Sequence, residues 1–271
     1  MAGKRAYIVI AAYLLVLSVT PLIASFLGGG GWIGFDMGAY YYRNEHLEVR
    51  LAGLPEGVGK PRIYVYAPNS SYMPVLILDV NDRESTVEGY SLFYDAIDVK
   101  ITALNTTLTI AYVFEDFNLT KTIIAADTTV TINYQATKTV KYKIVVHGRN
   151  YTSINGLHLR DYVNKTLKLE KIEGVSFKFH SKPVGAGSVY LNFSSPVNVE
   201  VEEEVKGVTI IIVTWEGDRL SMSVRGYVEP HKLSPVTSTL SSLLNHRVTP
   251  ILLPLITLVL IFVGWTVWRR L

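Results

Sequence analysis

Between residues 46 and 228 the chain repeatedly alternates apolar and polar side chains with a period of two. The runs are His46–Leu51, Arg62–Tyr66, Pro74–Val80, Asp98–Leu104, Leu108–Phe114, Thr120–Ala125 and Thr128–Tyr134, then Thr139–His147, Thr166–Glu170, Ser176–His180, Ser188–Phe193, Val197–Val205, Val208–Trp215 and Leu220–Val228. A period of two sends successive side chains to opposite faces of an extended chain, so each run predicts a half-buried strand. Gly, Pro, Asn or Asp bounds the runs, and Lys206-Gly207 and Glu216-Gly217-Asp218 are short enough for hairpin turns. With no convincing amphipathic helix among them, these fourteen runs predict a mainly β, antiparallel, Ig-like sandwich. They divide naturally into two seven-stranded units, 46–136 and 137–232, with a boundary near Gln135–Thr139; one larger sandwich is the alternative.

A different pattern closes each end. Val248–Trp268 is 21 residues without a charge, thirteen of them Leu, Ile, Val or Phe. At about −0.4 kcal/mol each these favour insertion as a membrane helix by about 5 kcal/mol. Pro250 and Pro254 fall in its outer turns, Trp265 and Trp268 sit at an interface, and Arg269 and Arg270 (tail 269–271) hold the C-terminus inside. Ala6–Leu27, behind Lys4 and Arg5, is either a second membrane helix or a signal peptide spanning 1–27. Cleavage after Ser25 or Ala24 leaves Ile23 or Leu22 where a small residue is preferred. Either way the segment between the stretches is predicted to face outward. Within it, 28–45 reads as a Gly- and aromatic-rich linker or first strand, and 233–247 as a Ser/Thr-rich stalk or a helix leading into the membrane.

That topology changes the meaning of the charge. Of 26 Lys and Arg, five (Lys4, Arg5, Arg247, Arg269, Arg270) flank the membrane stretches, leaving 21 against all 23 carboxylates outside. A near-neutral, mixed surface argues against a nucleic-acid partner, which needs a concentrated basic face. The absence of cysteine removes disulfides as a source of stability in an exported chain, which must then rely on its core.

Asparagine carries more information. Six of twelve begin an Asn-x-Ser/Thr triplet: Asn69, Asn105, Asn118, Asn150, Asn164 and Asn192. Chance predicts about two at this Ser/Thr content, and all six fall in the outward segment, so they read as glycan acceptors.

Other candidates have ordinary explanations beside them. Asp79-Val80-Asn81-Asp82 resembles the calcium linker of cadherins, in which closely spaced oxygens hold a hard cation; Arg83 stands where that linker has its last Asn. Asp79, Asn81 and Asp82 are therefore weak metal candidates, with a polar turn as the alternative. Glu200, Glu202 and Glu204 share one strand face, a solvated face or a cation site, while Glu203 interrupts the inward face. The histidines at 46, 147, 158, 180, 231 and 246 lack close metal spacing. Ser91 lacks the second glycine of a nucleophile elbow, and Gly185 and Gly187 lack the following helix of a phosphate loop. No cofactor is predicted. Tyr40, Tyr41 and Tyr42, together with exposed sheet edges, are the predicted contact surfaces.

An export signal, a cysteine-free β ectodomain rich in acceptor triplets, a Ser/Thr stalk, one anchor and a terminal Arg-Arg together resemble the membrane-anchored surface glycoproteins of thermophilic archaea. The long heptad coiled coil of lattice-anchoring stalks is missing, so the resemblance implies a short, membrane-proximal structural, adhesive or binding module of the cell envelope. The expected partners are the membrane and other envelope or membrane proteins, and no catalysis is expected. Two alternatives stay open. One is an accessory subunit of a membrane complex, for which Thr249, Thr257, Gly264 and Thr266 on the anchor give small-residue packing positions. The other is an extracytoplasmic enzyme or calcium-binding module.

Overall fold

The computed structural model describes residues 31–34, 39–51, 61–67, 70–162, 165–181, 185–205 and 207–229. Both hydrophobic stretches and the 233–247 segment lie outside the described residues. Among the described residues no helix is long and apolar enough to cross a membrane. The strands are β1 Ile33–Gly34, β2 Tyr40–Arg43, β3 Leu47–Leu51, β4 Pro61–Ala67, β5 Ser70–Val80, β6 Thr86–Val87, β7 Tyr90–Ser91 and β8 Asp98–Leu104. They continue as β9 Thr107–Val113, β10 Asn118–Ala126, β11 Thr129–Arg149, β12 Tyr151–Ile154, β13 Leu157–His158, β14 Leu167–Ser181, β15 Gly185–Val205 and β16 Val208–Val228, with a short 3-10 turn at Leu159–Tyr162. The fold is mainly β, and its strands pair antiparallel in one hydrogen-bonded sheet.

Alternation in the sequence becomes alternation in burial. Leu119, Lys121, Ile123 and Ala125 of β10 point inward, as do Val130, Ile132 and Tyr134 of β11 and Leu220, Met222 and Val224 of β16. The segment 28–45 contributes two strands, β1 and β2, rather than a plain linker.

The largest difference from expectation lies in strand length. β11, β15 and β16 each run 21 residues, and together with β14 each absorbs two of the predicted runs. The boundary expected near Gln135–Thr139 lies inside β11. There the pairing slips: between Gln135↔Arg219 and Val140↔Gly217, five steps of β11 face two of β16. β15 slips against β16 between Phe193 and Asn198, and β14 slips against β15 between Leu169 and Gly174. These bulges sit side by side and form a belt across four strands, where bulges bend and twist a sheet. Pro196, with no N–H to give a ladder, falls within the belt, and Glu216-Gly217-Asp218 lies inside β16 there rather than in a hairpin. β15 and β16 do follow one another as an antiparallel pair, and Gly207, just before β16, stands at φ 90°.

On one side of the belt the order is β8, β9, β10, then the first part of β11, the last of β16, the first of β15, the last of β14, and β12 and β13. On the other side β1 to β5 and β6 join the second part of β11 and the remaining parts of the other long strands. The two halves face each other across one core. A β carbon on Gly226 would lie 2.7 Å from Val65 Cγ1 and 2.6 Å from Ile77 Cδ1, and the buried Tyr151 hydroxyl donates to the Ile77 carbonyl. At the rim, Trp32 Nε1 donates to the Thr106 carbonyl at 3.0 Å, and Asn44 Nδ2 to the Asp127 carbonyl at 2.9 Å.

Candidate functional site

Four of the six acceptor triplets lie within the described residues; Asn69 and Asn164 lie outside them. Asn105, Asn118, Asn150 and Asn192 are all exposed. Asn105 and Asn150 occupy left-handed turns, with φ of 49° and 56°, a conformation asparagine tolerates better than most residues. A turn role alone would explain an asparagine there, so side-chain engagement is the discriminating observation. Asn44, Asn81, Asn155 and Asn198, which begin no triplet, use their side-chain oxygens to accept backbone N–H groups. Asn133, on the outer face of β11, is the exception. The four described triplet asparagines make no side-chain hydrogen bond among the described residues. These residues are thus exposed and their amides uncommitted, which leaves them open to attachment of a sugar.

Asn150 is also part of a cleft of about 720 Å³ whose wall includes His158, Arg160, Asp161, His180 and Glu203. Its backbone is clamped: Asn150 N donates to the Gly207 carbonyl at 2.7 Å, and His180 N donates to the Asn150 carbonyl at 3.1 Å. Tyr151 beneath it is buried and stacked on Phe177 with ring centres 4.8 Å apart. Glu203 Oε2 is shielded from solvent and accepts no hydrogen bond among the described residues. This assembly comes from β12, β13, the 3-10 turn, β14 and β15, so no local motif announces it. The one sign in the sequence is Glu203 at an inward position. Among the described residues no group of three His, Asp or Glu is placed to hold a metal ion.

In the Asp79–Asp82 segment both carboxylates are engaged in ion pairs within the fold. Asp82 is fully buried and takes the Lys121 ammonium on both oxygens, at 2.8 and 2.7 Å. Tyr112 donates to it at 3.4 Å, and the Tyr134 ring lies 5.6 Å from Lys121 Nζ. Burial pushes the Asp82 carboxyl up and the Lys121 ammonium down, each opposed by the other's charge. The same dryness holds Tyr112 and Tyr134 well above the usual phenol range. Asn81 organises the turn, and Ser85 Oγ docks it by donating to the Asn81 carbonyl at 2.7 Å and accepting from Val145 N at 2.9 Å. Asp79 pairs with Arg62 at 3.5 Å.

Other candidates are spoken for as well. Ser91 Oγ accepts from Phe93 N and Tyr94 N, the bonds of a serine turn. Glu200 pairs with Lys168 at 2.9 Å, and Glu202 accepts from Thr166. Gly187 is glycine because the Tyr227 carbonyl and Phe179 ring leave no space for a β carbon.

The tyrosine segment is not the bare contact surface expected. Tyr42 is 2% exposed and packs on Trp32 at 5.6 Å between ring centres, and Tyr40 lies against the core. Tyr41 donates to the buried Glu48 at 3.0 Å, which also receives Tyr66 and Arg50. Sheet edges fare better: β8 pairs only with β9 among the described residues, beside exposed Tyr94, Ile97 and Leu104.

Burial and the Glu48 charge push the Tyr41 phenol up to about 12. A raised folded value means the native state keeps its proton while the unfolded chain ionises. This contribution is full below pH 10 and lost as pH rises towards 12. Urea midpoints should therefore fall across that window, and Tyr41→Phe should fall less than the parent.

No protein-family model matches the sequence, and no curated protein matches it. Among solved structures, the chain is similar at 9% identity to a 4-alpha-glucanotransferase from Thermococcus litoralis (TM-score 0.44), covering 72% of this chain and 38% of that one. It is similar at 9% identity to an inverting mannosidase from Bacteroides thetaiotaomicron (TM-score 0.40), covering 82% of this chain and 32% of that one. The chain thus spans well under half the length of either protein, and no residue role is carried across.

Proposed function

We propose that this chain is a membrane-anchored, N-glycosylated β-sandwich protein of the cell envelope, of the kind found on thermophilic archaea, acting by surface contact rather than by chemistry. Residues about 32–246 would lie outside the cell and the C-terminus inside, with other envelope or membrane proteins as partners. The observation that carries the reading is the uncommitted amide of every described triplet asparagine, against the engaged amides of Asn44, Asn81, Asn155 and Asn198. The β8 edge, open among the described residues, offers a contact surface, since an open strand edge can add a partner's strand.

Peptide mass spectrometry of the protein from native membranes tests this. Glycans are expected on most of Asn69, Asn105, Asn118, Asn150, Asn164 and Asn192, together with protection of a C-terminal tag from protease added to intact cells. Unmodified asparagine at all six, or a digested tag beside an intact cytosolic control, would overturn the proposal.

A further inference from the structure

We propose that the cleft beside Asn150 is the seat of the glycan carried by Asn150 itself, so that its first sugars pack against His158, Arg160, Asp161, His180 and Glu203. This rests on the glycosylation reading above and goes beyond it, because an acceptor triplet needs only exposure, whereas here exposure comes with a built wall.

Three features select a carbohydrate as occupant. The first is position: Asn150 both presents the free amide and lines the cleft, and its backbone is clamped at the rim by two hydrogen bonds. The second is charge. Asp161 and Glu203 oppose Arg160 and two histidines, a near-balanced wall that suits a neutral polyhydroxyl better than a phosphate or a cation. Sugar hydroxyls donate and accept at once, so they can serve the carboxylates and imidazoles of this wall alike. The third is size: about 720 Å³ falls within the roughly 300–1,000 Å³ of small-molecule sites and takes a short oligosaccharide. Attachment itself is the work of a membrane transferase. The Asn150 Nδ2 bonds to C1 of an activated, phosphate-linked oligosaccharide, loses a proton, and the phosphate carrier departs.

Mild periodate, which cleaves accessible vicinal diols, applied to the folded native protein provides the test, with glycopeptides quantified by mass spectrometry. Sugars nearest Asn150 should be oxidised about tenfold or more slowly than those on Asn105 and Asn118, meaning a seated state favoured at least about ten to one. Unfolding should equalise the three, as should the double substitution His180→Ala and Glu203→Ala in folded protein. The comparison among sites within one wild-type molecule decides the matter even where the variant fails to fold. Equal oxidation in the folded wild type would remove the cleft as seat while leaving the glycosylation reading intact. An unmodified Asn150 beside occupied Asn105 and Asn118 would overturn the seat, and unmodified asparagine throughout would overturn both.

Discussion

Lys121→Met should lower stability by about 3–5 kcal/mol, because it strands the Asp82 carboxylate in a core with only a long Tyr112 hydrogen bond. For a domain of this size about 2–4 °C of melting temperature accompanies each kcal/mol, so a drop of about 10 °C is expected. Breaking the pair is costly because one partner remains, not because the pair itself is strongly stabilising. Adding Asp82→Leu to Lys121→Met should then recover most of the loss, since two apolar groups replace two desolvated charges. Thermal melts of the two variants decide this. A double variant no better than the single would mean that the turn from Asn81 to Ser85 needs the carboxylate for its own shape.

Tyr42→Ser is the second large effect, about 3 kcal/mol or more. It removes a buried aromatic that fills the space beside Trp32 and leaves a cavity where the structure relaxes only in part. A contact tyrosine on the surface would have melted unchanged on the same substitution. Calorimetry on Tyr42→Ser therefore separates the packing role from the adhesive one directly.

Tyr42 also shows why the sequence was readable in some places and misleading in others. Periodicity reports which side of a strand is apolar, and that was legible throughout: the runs at 108–114, 120–125 and 220–228 all became strands with the expected faces. Three consecutive tyrosines after a glycine run have no period, so burial there depends on what the rest of the chain brings. Bulge and turn residues are the same residues. Gly217 and Pro196 therefore read as ends of strands although the chain continues through them. The Lys121–Asp82 pair spans 39 positions and no local rule joins them, yet Lys121 at an inward position of an alternating run was a visible signal that a buried carboxylate had to exist. For the cleft the signal was thinner, Glu203 on the wrong face, because its wall is assembled from five separate elements. The asparagine triplets were visible at once, but only hydrogen bonding separates a free amide from one occupied in a turn.

The belt of bulges has a mechanical consequence. Because β11, β14, β15 and β16 pass through it unbroken, neither half owns its central strands, and neither can be excised and expressed alone as an independent module. Opening one half frays the ladder of the other, so heat or denaturant should act on both together, in one cooperative transition rather than two. A tether pulling on the chain from beyond β16 would meet the same arrangement: its load enters a strand laddered on one side to β11 and on the other to β15 along nearly its full length.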